Sequence, residues 1–148
     1  MLERYFKLKI EHAHFAGAGS KLKARALLSR ETMIQSMNCF DPRGALMAIW
    51  ELVSDANRYV EETKPWQLAK EEKSEELGRV LYDLLESVRF VGRMLAPFLP
   101  ATSEKIYRLF ELQESPSANM SGAWGVLKQG MTLQKGEPLF PKIEVEKL

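Results

Sequence analysis

Cysteine is almost missing: Cys39 stands alone among 148 residues, so no disulfide can form within the chain and the fold must rest on packing. That usage suits a reducing compartment, and Cys39, beside Phe40, is expected to act as a small packed hydrophobe. No apolar run approaches the roughly 20 residues of a membrane-spanning helix. The opening MLERYFKLKIEHAHF carries charges throughout, unlike the apolar core of a secretory signal. These absences lead to the expectation of a cytoplasmic protein that does not enter a membrane. A surplus of charge is missing too, with 21 Lys and Arg against 20 Asp and Glu, so the chain as a whole does not advertise a general nucleic-acid binder.

Catalytic groups are equally scarce. The only two histidines, His12 and His14, fall on different sides of a helix, with no cysteine or carboxylate cluster at zinc-ligand spacing. Gly17 and Gly19 lie among alanines without a following Lys-Ser or Lys-Thr, so there is no phosphate loop, and no serine sits in a nucleophile elbow. Glu61-Glu62 and Glu71-Glu72 are adjacent carboxylates that point apart on a helix end. The expectation is no metal, no catalytic residue and no cofactor in this chain.

What is present reads as helices. Strict strand-like alternation occurs only around Ile143 to Val145. At this length the chain is expected to be a single domain over 1–148, burying about 68–70% of its unfolded surface. Its helical core would run to about residue 112, followed by a loop over 113–123 and a packed tail over 124–148.

Met1 to Phe15 has an apolar stripe of Leu2, Tyr5, Phe6 and Ile10, and Ala16-Gly17-Ala18-Gly19 is a connector. Ser20 is a plausible cap for a helix to about Phe40, with Leu22, Ala26, Leu27, Met33, Ile34 and Met37 at roughly helical spacing. Ser29 lacks a Glu or Gln three residues on, yet it can cap a restarted helix, so a break there stays open. Asp41 and Pro42 then form a cap and first helical position.

From Pro42 to Thr63 the positions Leu46, Ile49, Val53, Ala56 and Val60 advance by three and four, the mark of an amphipathic helix. Glu72 to Ala96 repeats the pattern with Leu77, Val80, Leu81, Leu84, Leu85, Val88, Val91 and Leu95, and Ser74 is a candidate cap. Pro97 and Pro100 interrupt the backbone before a last helix to about Leu112. Trp124 to Leu127 is expected to dock on the bundle, and Leu139 and Phe140 to pack with the tail.

Two local features bear on function. Lys7, Lys9, Lys21, Lys23, Arg25 and Arg30 crowd the first thirty residues with only Glu3 and Glu11 opposing them, which is either a solvated helix face or a patch that steers phosphate. In DANRYVEETKPWQLAK, from Asp55 to Lys70, a helix ends at Lys64-Pro65 and Trp66 stands just beyond. Pro65 has no N–H to donate and pushes Lys64 out of helical geometry, so the indole is expected to be presented from a corner instead of being carried round a helix. Such a ring either tucks back onto the core or stacks on an unpaired base, a contact worth roughly 1–3 kcal/mol.

The run from Gly44 to Phe110, with its NRYVEETKPW corner and following QLAK, resembles the anticodon-binding domain of methionyl-tRNA synthetases. The segment GEPLFPKIE, Gly136 to Glu144, is similar to the one that closes that domain. The resemblance implies an all-α antiparallel helix bundle of the class I aminoacyl-tRNA synthetase anticodon-binding type, with an irregular C-terminal tail packed on it. It also implies a methionine-accepting tRNA and the synthetase's catalytic domain as partners, with neither DNA nor membrane. ATP and methionine would bind the catalytic domain, whose HIGH-like and KMSKS-like motifs do not occur here.

By the same resemblance Trp66 stacks in the site for the first anticodon base. Asn57, Arg58 and Glu61, one or two turns earlier, are placed to line that site. Asn57 suits a base edge and Arg58 a phosphate or stacked base, while Glu61 suits an exocyclic amine or the backbone N–H groups of the corner. The plainer alternative for these three is a helix-surface pair such as Arg58 with Glu62. The family's further Asn and Arg, four residues apart on its first helix, lie upstream of the stretch that matches MLERYF, so the sequence is expected to be truncated at its N-terminus. Two other readings remain open: a non-catalytic helical protein-interaction module, and the equivalent domain of another class I synthetase.

Overall fold

The computed structural model describes residues 21–110, 122–128, 130–134, 136 and 139–140. Five helices follow one another, α1 (Lys21–Asn38), α2 (Pro42–Thr63), α3 (Pro65–Lys70), α4 (Ser74–Leu95) and α5 (Pro100–Leu109). The architecture is all-α, with no strand among the described residues. The expected helix over residues 1–15, the basic Lys7 and Lys9, and the alternation at Ile143 to Val145 lie outside the described residues.

The helix α1 runs unbroken through Ser29, so the restart held open there does not occur. Its buried positions Leu22, Ala26, Ser29 and Met33 advance by four, three and four, and Ser29 is simply the small member of that face, 2% exposed. At the far end Cys39 is exposed, not packed, and Phe40 beside it is 93% exposed with a left-handed φ of 57°.

Asp41 caps α2 as its side chain allows: Oδ1 accepts from the Gly44 N–H at 2.9 Å, and Pro42 takes the first turn, where no N–H is needed. Gly44 is there for want of room, since a Cβ would lie 2.3 Å from Asp41 Oδ2. The face that α2 buries is Ala45, Ala48, Ile49 and Leu52, which shares one core with Leu22, Ala26 and Met33 of α1 and Phe90 and Met94 of α4. The expected stripe is thus rotated: only Ile49 of it is buried, and Leu46 and Ala56 pack at the margin. Small alanines let the neighbouring helix approach closely, and that contact outweighs the larger side chains on the flank.

Lys64 ends α2 in the left-handed region, φ 44° and ψ 61°, with its N–H donating to Val60 O. A non-glycine residue there costs on the order of 1–2 kcal/mol. Pro65 is buried and begins α3. The corner is therefore helical on both sides, and Trp66 rides the second position of a six-residue helix, a correction to the bare bend expected.

Ser74 is the first residue of α4, not its cap; Lys73 holds the cap position without a side-chain bond. The helix is central and covered on several sides, although Val88, expected inside, is 43% exposed. The α4–α5 crossing is tight at Gly92, where a Cβ would meet Ile106 Cγ2 at 2.7 Å, and Ser103 Oγ donates to Gly92 O.

Beyond α5, Trp124 docks as expected, its ring 5.6 Å from that of Phe90 between centroids. Leu127 and Leu133 join Tyr82, Ile106 and Phe110 in a second cluster, with Leu139 packed at its edge. Phe140 is 71% exposed, so its expected packing is not found.

This strap is pinned by an ion pair that helical periodicity does not announce. Glu86 and Arg89 of α4 are both buried and bridge at 2.7 Å. Glu86 Oε1 accepts from Leu127 N–H at 2.9 Å, Arg89 Nη2 donates to Ala123 O at 2.6 Å, and Tyr82 OH donates to Leu127 O at 3.0 Å. A buried pair is tolerable only with its remaining hydrogen-bonding capacity filled, and the strap backbone does part of that filling.

Candidate nucleic-acid interface

The last two turns of α2 and the Lys64-Pro65 corner carry all four residues singled out in the sequence. At about 100° per residue, the face of α2 opposite Ala45, Ala48, Ile49 and Leu52 bears Trp50, Ser54, Asn57 and Glu61, with Arg58 at its edge. Asn57, Arg58 and Glu61 are all exposed, and Trp66 is 43% exposed, so its indole is not sealed in the core. Asn57 stands seven residues before Lys64, about 10 Å along the helix axis. All four thus lie at the C-terminal end of α2, with Trp66 on the short helix that follows.

Their bonding differs. No ion pair or side-chain hydrogen bond among the described residues engages Asn57 or Glu61, and both present their polar groups to solvent. Arg58 pairs with Asp55, three residues back, and not with Glu62. Asp55 also accepts from Arg25 Nε of α1, while Arg25 Nη1 reaches Glu51 Oε2 at 3.2 Å. This chain of four charges fixes the attitude of Arg58 while leaving most of its five N–H donors unused.

The network also changes the reading of the basic segment. Arg25 is spent on two carboxylates and Arg30 donates to Gly122 O at 3.2 Å, so two of the counted cations hold the fold instead of facing solvent freely. A cleft of about 500 Å³ between α1 and α2 is lined by Lys21, Arg25, Leu28, Arg58, Tyr59 and Glu62 at the same end of the molecule.

The corner is braced from beneath. Tyr59 OH donates to Asp83 Oδ2 of α4 at 3.3 Å, and its hydroxyl is pushed up to about 12, first by burial and then by the neighbouring Asp83 charge. Thr63 Oγ1 donates back to Tyr59 O at 2.7 Å. After α3 the exit turn is clasped by Lys73 Nζ and Glu71 Oε2 at 2.9 Å, and bonds from Lys73 and then Gln67 hold the Glu71 carboxyl below the ordinary carboxylate range.

Trp50 was not singled out in the sequence, yet it lies on the face of Asn57 and Glu61 and is 61% exposed. The signal was available: Trp50, Asn57 and Glu61 stand at seven- and eleven-residue spacing, two and three turns of one helical face. Among the described residues no group of three or more His, Cys, Asp or Glu can hold a metal, and no helix is long and apolar enough to cross a membrane.

Comparison with known proteins agrees with this architecture. Residues 14–148 match the family described as the anticodon binding domain of methionyl tRNA ligase. Over 147 residues, 99% of the chain is 40% identical to the methionine–tRNA ligase of Thermotoga maritima, covering 23% of that protein. The methionine–tRNA ligase of Caldanaerobacter subterraneus subsp. tengcongensis is 48% identical over 104 residues, 70% of this chain and 16% of that one. Among solved structures, Mycobacterium tuberculosis methionyl-tRNA synthetase in complex with methionyl-adenylate superposes with a TM-score of 0.76 at 26% identity, over 96% of this chain and 28% of that one. The chain therefore spans between 16% and 28% of the length of these relatives. With the family match spanning nearly its whole length and a relative 40% identical over 147 residues, this chain belongs to the anticodon-binding domain family of methionyl tRNA ligases.

Proposed function

We propose that the chain binds the anticodon of methionine-accepting tRNA and thereby supports methionyl-tRNA formation by a catalytic domain outside the chain. ATP and methionine act there; this part recognises RNA and does no bond-making of its own. The compartment is the cytoplasm, and neither DNA nor a membrane takes part.

In this reading Trp66 stacks on the first anticodon base, Asn57 hydrogen-bonds a base edge, and Arg58 reaches a phosphate with the donors that Asp55 leaves free. Glu61 accepts from an exocyclic amine. The observation that carries the reading is the half-open indole of Trp66 on a corner fixed by Lys64 and Pro65, at the same end of the molecule as Asn57 and Glu61, whose side chains have no partner among the described residues. An exposed aromatic ring with unspent hydrogen-bonding groups is what an unpaired nucleotide requires.

The test is binding of a methionine-type anticodon stem-loop and of a stem-loop with an altered anticodon. Trp66→Ala is expected to weaken the first by about 5- to 100-fold, the loss of one stacked base, while helical content stays unchanged. Equal affinity for both loops, or no effect of Trp66→Ala, would remove the reading.

A further inference from the structure

We propose that Trp50 is a second stacking platform for the same RNA and that Arg43 is its phosphate contact, so that the recognition track continues along the outer face of α2 away from the corner. The inference rests on the anticodon-binding reading and extends it to a surface the sequence did not single out.

Trp50 sits in an open groove of about 960 Å³ whose apolar wall is Pro42, Leu46, Met47 and Trp50. Trp50 is 61% exposed and Met47 56%. Taken alone, that wall would suit a protein helix as well as a nucleotide, and the charges decide between them. Both carboxylates on the groove, Glu51 and Asp55, are already paired, the first with Arg25 and the second with Arg25 and Arg58. Among the described residues Arg43 has no acidic partner, which leaves the groove with one uncompensated cation beside an exposed indole. An aromatic face next to an arginine is the combination that holds single-stranded nucleotides.

Continuity points the same way. Arg58 lines this groove and also belongs to the corner set. Trp50 lies fourteen residues before Lys64, about 21 Å along the helix axis. At about 3.4 Å per stacked nucleotide, that is roughly six nucleotides, the reach of one hairpin loop with the start of its stem. A base on Trp66 and a nucleotide about six positions away on Trp50 are thus within reach of one such loop and stem.

The experiment measures affinity of the 148-residue chain for the methionine-type stem-loop with Trp50→Ala, Trp50→Phe, Arg43→Gln and Trp66→Ala, with circular dichroism confirming that each folds. Trp50→Ala should lower affinity by about 5- to 100-fold and Trp50→Phe by only about threefold. Arg43→Gln should reduce the salt dependence of binding by a slope of about 1. In a Trp66→Phe background the only exposed indole among the described residues is Trp50, since Trp124 is 9% exposed, so quenching by RNA there reports on Trp50 directly.

If Trp66→Ala weakens binding while Trp50→Ala and Arg43→Gln leave it within about twofold, the groove is not part of the RNA track and serves a protein partner or none. The corner would keep its function and this inference would fall. If no variant matters, or the unsubstituted chain does not bind the stem-loop, the anticodon reading fails and takes this inference with it.

Discussion

Two tryptophans show how differently the ends of this molecule spend similar chemistry. Around Trp124 charge is turned inward at Glu86 and Arg89, which bridge each other and bond the backbone at Ala123 and Leu127. Around Trp66 the backbone is just as firmly set, by Lys64, Pro65 and the Tyr59–Asp83 bond, but the side chains above it are left open. The strap uses polarity to close a structure, whereas the corner uses rigidity to keep polarity available. A buried, satisfied network reads as architecture, and an exposed, unsatisfied one on a rigid support reads as a place for a ligand.

The contrast can be broken first at the strap. Arg89→Ala leaves Glu86 as an uncompensated buried charge and should cost about 3–5 kcal/mol in denaturant unfolding, against under about 0.5 kcal/mol for Glu61→Ala at the corner. A small loss at Arg89 would mean that the strap is not held by charge.

Truncating the two indoles sharpens the same point. Trp124→Ala should destabilise by about 3–5 kcal/mol, and Trp66→Ala by about 1 kcal/mol or less. Comparable losses in melting experiments would show that the Trp66 ring is mainly a packing element.

The smallest effect is in alkaline stability. The Tyr59 hydroxyl titrates near 12 in the folded chain and near 10 unfolded, so the folded state holds its proton longer. Its contribution is complete below pH 10 and is lost as pH rises toward 12, because the unfolded state then binds fewer protons. Tyr59→Phe should therefore flatten the fall of stability with pH across that window, measured by denaturant midpoints. An unchanged slope would show that the brace beneath the corner is not made through this hydroxyl.

Much of this was legible in the sequence where local chemistry is decisive. Asp41-Pro42 marks a helix start because a carboxylate accepts the orphan N–H groups and proline needs no donor there. Lys64-Pro65 marks an end for the complementary reason. The buried face of α2 lies to one side of its larger apolar residues because Ala45 and Ala48 look weakly apolar yet sit where two helices meet. Glu86 and Arg89, at three-residue spacing, look like a surface pair, and what buries them is backbone 34 to 41 residues away. Trp50 is hidden in the sequence for a different reason: the face it shares with Asn57 and Glu61 is defined only once Ala45, Ala48, Ile49 and Leu52 fix the core side of the helix.

The left-handed lysine at the end of α2 has a consequence for speed and affinity. Lys64 and Pro65 together leave the chain few ways to turn, so the attitude of the indole is settled when the protein folds and not when a ligand arrives. The conformational entropy of ordering that segment is then largely absent from the association step. On the proposed anticodon reading, an encounter with the right loop should lock without a slow rearrangement, and discrimination should show mainly in how long the complex lasts.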